Sequence, residues 1–357
     1  MSSCFLREHH IGRGFRALSI ENQFLSVTLL PDKGADIYSL RYKPKDIDVL
    51  WKSPWGLKMP GVGIPSFGAS SEAAWLENYE GGWQEIFPNG GDACVYKGAP
   101  LSFHGEASTL PWDYAVRQQS ASTVTLDFSV QLYRSPFTVR RSVTVERSLP
   151  AVLFHETIEN QGEEDLHFMW GHHPAFGEPF LDGGCRLHVP ARRFVAHDVQ
   201  ISPNSRLAPS AAGSWPVLSG RNSNPVDLSL VPPSSARVTE FGYLSDLEQG
   251  WYGLVNPGLG FGTGLAWDKG VFPYLWFWQE LRGSFGYPWY GRCYVMAVEP
   301  FNSIPGSGLL RAIESGTAPI LPARGKRDAR LAAVFFDAGE PQSISVEGVA
   351  RVKKDVP

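Results

Sequence analysis

STVTLDFSVQLYRSPFTVRRSVTVERSLPAVLFHETI, residues 122–158, contains three runs in which β-branched and aromatic residues recur, at 123–132, 137–145 and 151–158. Apolar and polar residues alternate within them, the period of a half-buried strand rather than of a helix. Ser135–Pro136 and Leu149–Pro150 fall between the runs, where turns are needed. The segment therefore reads as three successive strands. Residues 24–30 (FLSVTLL) read the same way, and helical periodicity is scarce, with residues 72–79 the one short candidate. The 37 glycines and 28 prolines are spread along the chain rather than gathered in a linker, so they separate many short elements. Many strands with few helices predict an all-β fold, a large antiparallel two-sheet β-sandwich. With no linker-like boundary, residues 1–357 read as a single domain. Residues 202–235, rich in Pro, Ser and Asn, read as a long surface excursion, and residues 340–357 as a final strand with a charged end.

Composition narrows the classes of function. At 43% hydrophobic and 19% charged residues the chain can bury a sizeable core. The net charge of -4 and the lack of a basic stripe argue against a nucleic-acid partner and favour a neutral or mildly polar one. Cys4, Cys94, Cys185 and Cys293 are scattered, with no C-x-x-C pair, so free thiols are expected rather than disulfides or structural zinc. The first residues, MSSCFLREHHIGRGF, lack a signal-peptide pattern, and no window of about 18 apolar residues suggests a transmembrane helix. These features predict a soluble cytoplasmic protein with no membrane partner, a monomer or a homodimer.

Three segments combine Gly or Pro punctuation with titratable residues: 81–107, 170–177 (WGHHPAFG) and 298–306 (VEPFNSIPG). In the first, His104 is followed by a glycine, which permits a turn and close approach of the backbone to a ligand. A lone histidine is more often structural than catalytic. In the second, His172 and His173 are adjacent, so on a strand they face opposite sides and only one enters a given cleft. In the third, Glu299 ends the apolar run YVMAV, where a carboxylate is either paired or used for proton transfer. Core packing explains most of a cluster of aromatics that includes Trp267, Trp276, Trp278 and Trp289, and a carbohydrate cleft would use the flat faces of the remainder.

From about residue 25 to residue 336 the chain resembles the aldose 1-epimerase family, also called galactose mutarotase-like. LLPDKGADIYSLRYK (29–43) is similar to the family's opening hairpin, and NGGD (89–92) with FHGEAS (103–108) to its first catalytic segment. HPAF (173–176) resembles the segment with the second histidine, which selects His173 over His172. VEPFNSIPG, preceded by the tryptophan-rich FPYLWFWQE (272–280), resembles the glutamate segment, and residues 314–336 the closing strands, with LPARG in place of the usual turn. The motifs stand in the family's order, with 69 residues from His104 to His173 and 126 more to Glu299, similar to the family's spacing.

The resemblance implies interconversion of the α and β anomers of a hexose or hexose derivative, with a small-molecule sugar as partner and neither cofactor nor metal. Glu299 would act as base at the C1 hydroxyl and His173 as acid at the ring oxygen, while His104 holds the sugar. Histidine's usual titration near neutrality suits exchange in both directions. One departure concerns the substrate. Family members carry an arginine ahead of the first histidine, but ENYEGGWQEIFPNGGD (77–92) has none. Trp83, Gln84, Glu85 and Asn89 would replace it. The family's acidic sugar ligand falls on either Asp246 or Asp268. Trp278, Gln279 and Asn302 are further candidates for binding the sugar. A charged sugar would instead call on Arg140, Arg141, Arg282 or Arg292. A non-catalytic carbohydrate-binding or sensing protein on the same scaffold is the alternative of a different class, and a polysaccharide lyase, normally longer and built on a tyrosine–histidine site, is a remote third.

Overall fold

Residues 123–131, 137–146 and 151–160 form a meander in the computed structural model, which describes residues 3–12, 14–58 and 70–353. Leu126 lies opposite Val143, and Val143 opposite Phe154. Cross-strand partners share a face, so one side of the meander carries Val124, Leu126, Phe128, Val139, Val143 and Val145, all buried. The alternation read from residues 122–158 is the cause. Only one face can be dry, and the period of two sorts the apolar side chains onto it.

The meander belongs to an antiparallel sheet of eight strands among the described residues, in which Lys326–Asp337 pairs with Ala151–Asn160 on one side and with Phe261–Trp267 on the other. A second antiparallel sheet of twelve strands packs against it, and one hydrophobic cluster draws on both. The fold is thus an all-β, two-sheet antiparallel sandwich. The opening hairpin pairs Leu25–Leu30 with Asp36–Tyr42. Across the middle of the larger sheet the strand order is Asp36–Tyr42, Trp83–Ile86, Gly171–Gly177, Tyr294–Phe301, Tyr274–Leu281, Val238–Ser245 and Arg193–Ala196.

The short helix runs Ser71–Glu77, slightly ahead of the stretch expected, because the Ser70 hydroxyl accepts the Ala73 N–H at 3.2 Å and fixes the start. The segment 202–235 is not a mere surface excursion. It carries the short strands Ala212–Ser214, Val217–Ser219 and Pro225–Asp227, and buries Leu207, Leu218, Leu228 and Val231 in the main core. The chain end is a hairpin, Glu340–Ile344 with Ala350–Lys353, rather than a single strand, and residues 354–357 lie outside the described residues. All four cysteines are free thiols. Among the described residues no helix is long and apolar enough to cross a membrane.

Candidate active site

A cleft of about 450 Å³ opens on the face of the larger sheet turned away from the eight-stranded sheet, within the usual size range of small-molecule sites. Strand parity determines what enters it. His173 lies opposite Gln84 and His172 opposite Glu85, so the two adjacent histidines diverge. His173 faces the cleft, whereas His172 faces the interior, where the Trp83 indole N–H donates to its Nδ1 at 3.2 Å and its Nε2 lies 3.0 Å from Glu156. Glu299 lies opposite Trp276 on the cleft face. Gly171 is required beside them, because a Cβ there would meet the Phe301 ring at 2.4 Å. That ring stacks beneath Trp276, a lining residue, with centroids 3.7 Å apart.

His104 reaches the same cleft from a turn. Its φ is +57°, and the following Gly105 is so close to Phe87 that a Cβ would sit 2.3 Å from the carbonyl oxygen. The strained turn is held by Gly91, whose carbonyl accepts the His104 N–H at 3.1 Å and whose N–H donates to His104 Nδ1 at 3.1 Å. With Nδ1 accepting, the proton of the neutral ring is on Nε2.

The three segments converge. His104 and His173 have ring centroids 6.0 Å apart, and His173 Nε2 is 3.9 Å from Glu299 Oε1. The second carboxyl oxygen of Glu299 is buried without a partner among the described residues. Tyr79, at the end of the short helix, places its hydroxyl 3.4 Å from His173 Nδ1, and Trp75 packs edge-on against His104 at 4.6 Å. Burial pushes the Glu299 carboxyl well above the usual carboxylate range. Burial also draws His173 down to about 4, and His104 falls well below the usual imidazole value through burial and the neighbouring His173. The near-neutral titration expected for these histidines is therefore displaced by desolvation.

The expected sugar-binding residues divide. Trp278 lines the cleft, 5.8 Å from His173 and 5.3 Å from Trp289 between ring centroids. Its neighbour Gln279 does not, because it occupies the opposite face, where Arg206 donates to it at 3.2 Å. Trp83 and Glu85 also face the space between the sheets, and Glu85 is taken by Arg141 and by the Trp170 indole N–H at 2.9 Å. Gln84 is on the cleft-side face but donates to Asp36 and to the Gly81 carbonyl. Asn89 is committed to the backbone, donating to the carbonyls of Asp92 and Ser102 and accepting the Leu309 N–H. Asn302 likewise accepts the Trp170 N–H at 2.9 Å. These residues build the walls but do not line the cleft.

Asp246 and Asp268 are both outside it. Asp246 is exposed on a turn, and Asp268 accepts the Arg330 backbone N–H at 2.8 Å and its guanidinium at 3.1 Å. The cleft's carboxylates are instead Glu72, Asp92, Glu280 and Glu299. Asp92 belonged to the NGGD motif, and Glu280 shares the parity of Trp276 and Trp278, so both were within reach of the sequence. His197, another lining residue, has no motif around it.

The fold is similar to that of a proposed aldose 1-epimerase from Klebsiella pneumoniae, with a TM-score of 0.68 and 15% identity over 92% of this chain and 82% of that one. It is similar also to a galactose mutarotase-like protein from Clostridium acetobutylicum (TM-score 0.63, 12% identity, 94% and 99% of the two chains) and to one from Lactobacillus casei (0.55, 19%, 90% and 100%). At such identities the likeness is one of fold, and fold does not fix function. No curated protein matches the chain by sequence. A family profile described as a domain of unknown function, DUF4432, matches residues 12–216, more than half of the sequence and the part that contains His104 and His173, and the chain belongs to that family.

Proposed function

We propose that the protein, acting as a single domain, is an isomerase of the aldose 1-epimerase type that exchanges the anomers of an uncharged sugar by proton transfer among its own side chains. The observation that carries this reading is the buried Glu299–His173 pair, 3.9 Å apart on the floor of a cleft walled by aromatic rings. Ring opening needs one proton removed and one supplied. Glu299 takes the C1 hydroxyl proton, the O–H electrons form the C1=O bond, the bond from C1 to the ring oxygen breaks, and that oxygen takes a proton from His173. Rotation about C1–C2 and reclosure with the proton movements reversed gives the other anomer. His104 Nε2–H is a donor beside them, suited to holding the sugar. Trp278 offers a face for the ring's C–H side.

The pair must hold one proton in total, on the carboxyl or on the imidazole, and it titrates as a unit. Burial favours the resting form with the proton on Glu299, and the 3.9 Å gap is short enough for one hydroxyl to relay it. A second proton joins the pair only when the pH falls towards about 4, the lowered value of His173, and the last proton leaves only above the raised value of Glu299. Anomer exchange measured against pH is therefore expected to be level through pH 6.5, with its acid limb near 4. A limb centred on about 6.5, the ordinary imidazole value, would contradict this placement of the proton.

The cleft's charge bears on the substrate. Four carboxyl groups, one of them the protonated Glu299, and, among the described residues, no Lys or Arg line it. Residues 59–69 (MPGVGIPSFGA) contain no charged residue either. Arg140 pairs with Glu159, Arg141 is buried between the sheets, Arg282 lies by Glu178, and Arg292 is not among the lining residues. An anionic sugar would meet Glu72 and Asp92 with no lining cation opposite, and Arg237, 5.7 Å from the centroid of the Phe285 ring, is not itself a lining residue. The test is polarimetry on freshly dissolved single anomers of neutral, 6-phosphorylated and sulfonated hexoses. Faster decay of the neutral anomers alone is expected. Acceleration confined to the anionic sugars would overturn the charge reading, and no acceleration of any sugar would leave a binding protein instead of an isomerase.

A further inference from the structure

The cleft extends well past the acid–base pair. His173 stands on Gly171–Gly177, and Tyr294–Phe301, Tyr274–Leu281, Val238–Ser245 and Arg193–Ala196 follow in sheet order, with His197 directly after the last. Four strand spacings, about 19 Å at about 4.8 Å each, separate the backbones that carry the two histidines. Glu299, Trp276 and Phe241 line the floor between them. This length exceeds what one pyranose ring fills.

The far end is built for a polar ligand with an apolar face. The Gly306 N–H donates to the Tyr243 hydroxyl at 2.8 Å, and His197 Nδ1 lies 2.6 Å from the same oxygen. Tyr243 has a single hydrogen to give, and this nitrogen is its acceptor among the described residues. Burial holds the phenol protonated and lowers the imidazole, so the ring is neutral, with its proton on Nε2. Asp198, 3.5 Å from Nδ1, and Asp92 are the charges that oppose this, and burial outweighs them. Nε2–H has no partner among the described residues, and His197 lines the cleft. Around it stand Phe241, whose ring centroid is 4.9 Å away, and two exposed apolar side chains, Ile201 at 42% and Phe285 at 62% exposure. The Ser202 hydroxyl, donating to the Gly283 carbonyl at 3.3 Å, ties the loops that carry Ile201 and Phe285 together.

The geometry points to a second sugar subsite: the substrate is an uncharged saccharide of at least two rings, its reducing ring over Glu299 and His173, its next ring against Phe241, Ile201 and Phe285, with His197 Nε2–H donating to a hydroxyl of that ring. This rests on the isomerase reading for the orientation of the reducing end. The subsite itself is tested independently of turnover.

The experiment compares glucose with maltose, cellobiose and lactose on the full chain, by anomer exchange and by calorimetric binding, in wild type, His197→Ala and Phe285→Ala. At least one disaccharide is expected to exceed glucose about tenfold in kcat/KM, the worth of one well-placed hydrogen bond with its packing. His197→Ala and Phe285→Ala are each expected to lower that disaccharide-to-glucose ratio severalfold through KM. A ratio of one or less for all three disaccharides, or a ratio unchanged in both variants, overturns the subsite. If no sugar exchanges faster than in buffer, the isomerase reading fails alone, and binding then decides. Tighter disaccharide binding that His197→Ala weakens sustains the subsite, whereas equal affinity for one ring and two overturns it.

Discussion

Replacing Glu299 with glutamine is expected to slow anomer exchange by about 10²–10⁴-fold, the contribution of one positioned proton-transfer group, and to raise the melting temperature at neutral pH. The two effects share a cause. Burial raises the Glu299 pKa above its unfolded value, so folding stability from this group is fully present below the ordinary carboxylate range and falls as pH rises through it. At neutral pH the wild type bears that penalty and the amide does not. The gain in stability should therefore shrink as pH falls towards 4.5, the ordinary value of the carboxyl. Loss of exchange with unchanged sugar affinity and a higher melting temperature is the expected pattern. His173→Asn should lower exchange comparably, and the double variant by little more than either single one, because the pair works as a unit. Near-wild-type exchange in both single variants would remove the pair from the chemistry.

Arg141→Met is expected to cost about 3–5 kcal/mol of folding stability, as removal of one partner from a buried ion pair does. Arg141 is 2% exposed and sits at an inward position between Val139 and Val143. Its guanidinium bonds Glu85, which stands on the opposing sheet, Glu156 at 2.7 Å and the Ala35 carbonyl at 3.2 Å. Burial would raise Glu156, but His172 and Arg141 outweigh it and hold the carboxylate at about 2. Without the arginine, two buried carboxylates face each other with only His172 and the Trp170 indole for support. Urea denaturation reads the loss. Arg141→Lys should recover part of it, since an ammonium cannot span both carboxylates and the carbonyl as a planar fork does. A loss under about 1 kcal/mol in Arg141→Met would show that the cluster is not what joins the sheets behind the site. His172, held by that cluster, is next to His173, so the network also bears on how firmly the imidazole in the cleft is placed.

The sandwich was legible because the alternation in residues 122–158 is strong and punctuated at Ser135–Pro136 and Leu149–Pro150. The convergence of His104, His173 and Glu299 on one cleft was legible from the order of the motifs. Strand parity explains which of the expected sugar-binding residues line the cleft and which do not. Trp278 and Gln279 are adjacent on one strand and cannot both face the cleft, and Trp83 and Glu85 share the inward face with His172. Sequence shows which residues share a face, but which face is the cleft depends on the sheet packed behind it. Arg141 had a readable signal, a charge on the apolar parity of its strand, and Glu156 lies directly across from it. Asp246 and Asp268 both stand outside the cleft, one on an exposed turn and the other paired with Arg330. His197 was not legible, since its role comes from a phenol, Tyr243, that is 46 residues away and folds against it.

Two-dimensional exchange NMR on a sugar at anomeric equilibrium tests the central claim most directly, because it detects interconversion without any net reaction. Cross-peaks between the α and β anomeric protons that grow with protein concentration, and vanish with Glu299→Gln, are the expected result. Saturable binding of the same sugar with cross-peaks no stronger than in buffer, across neutral one-ring and two-ring sugars, would contradict it.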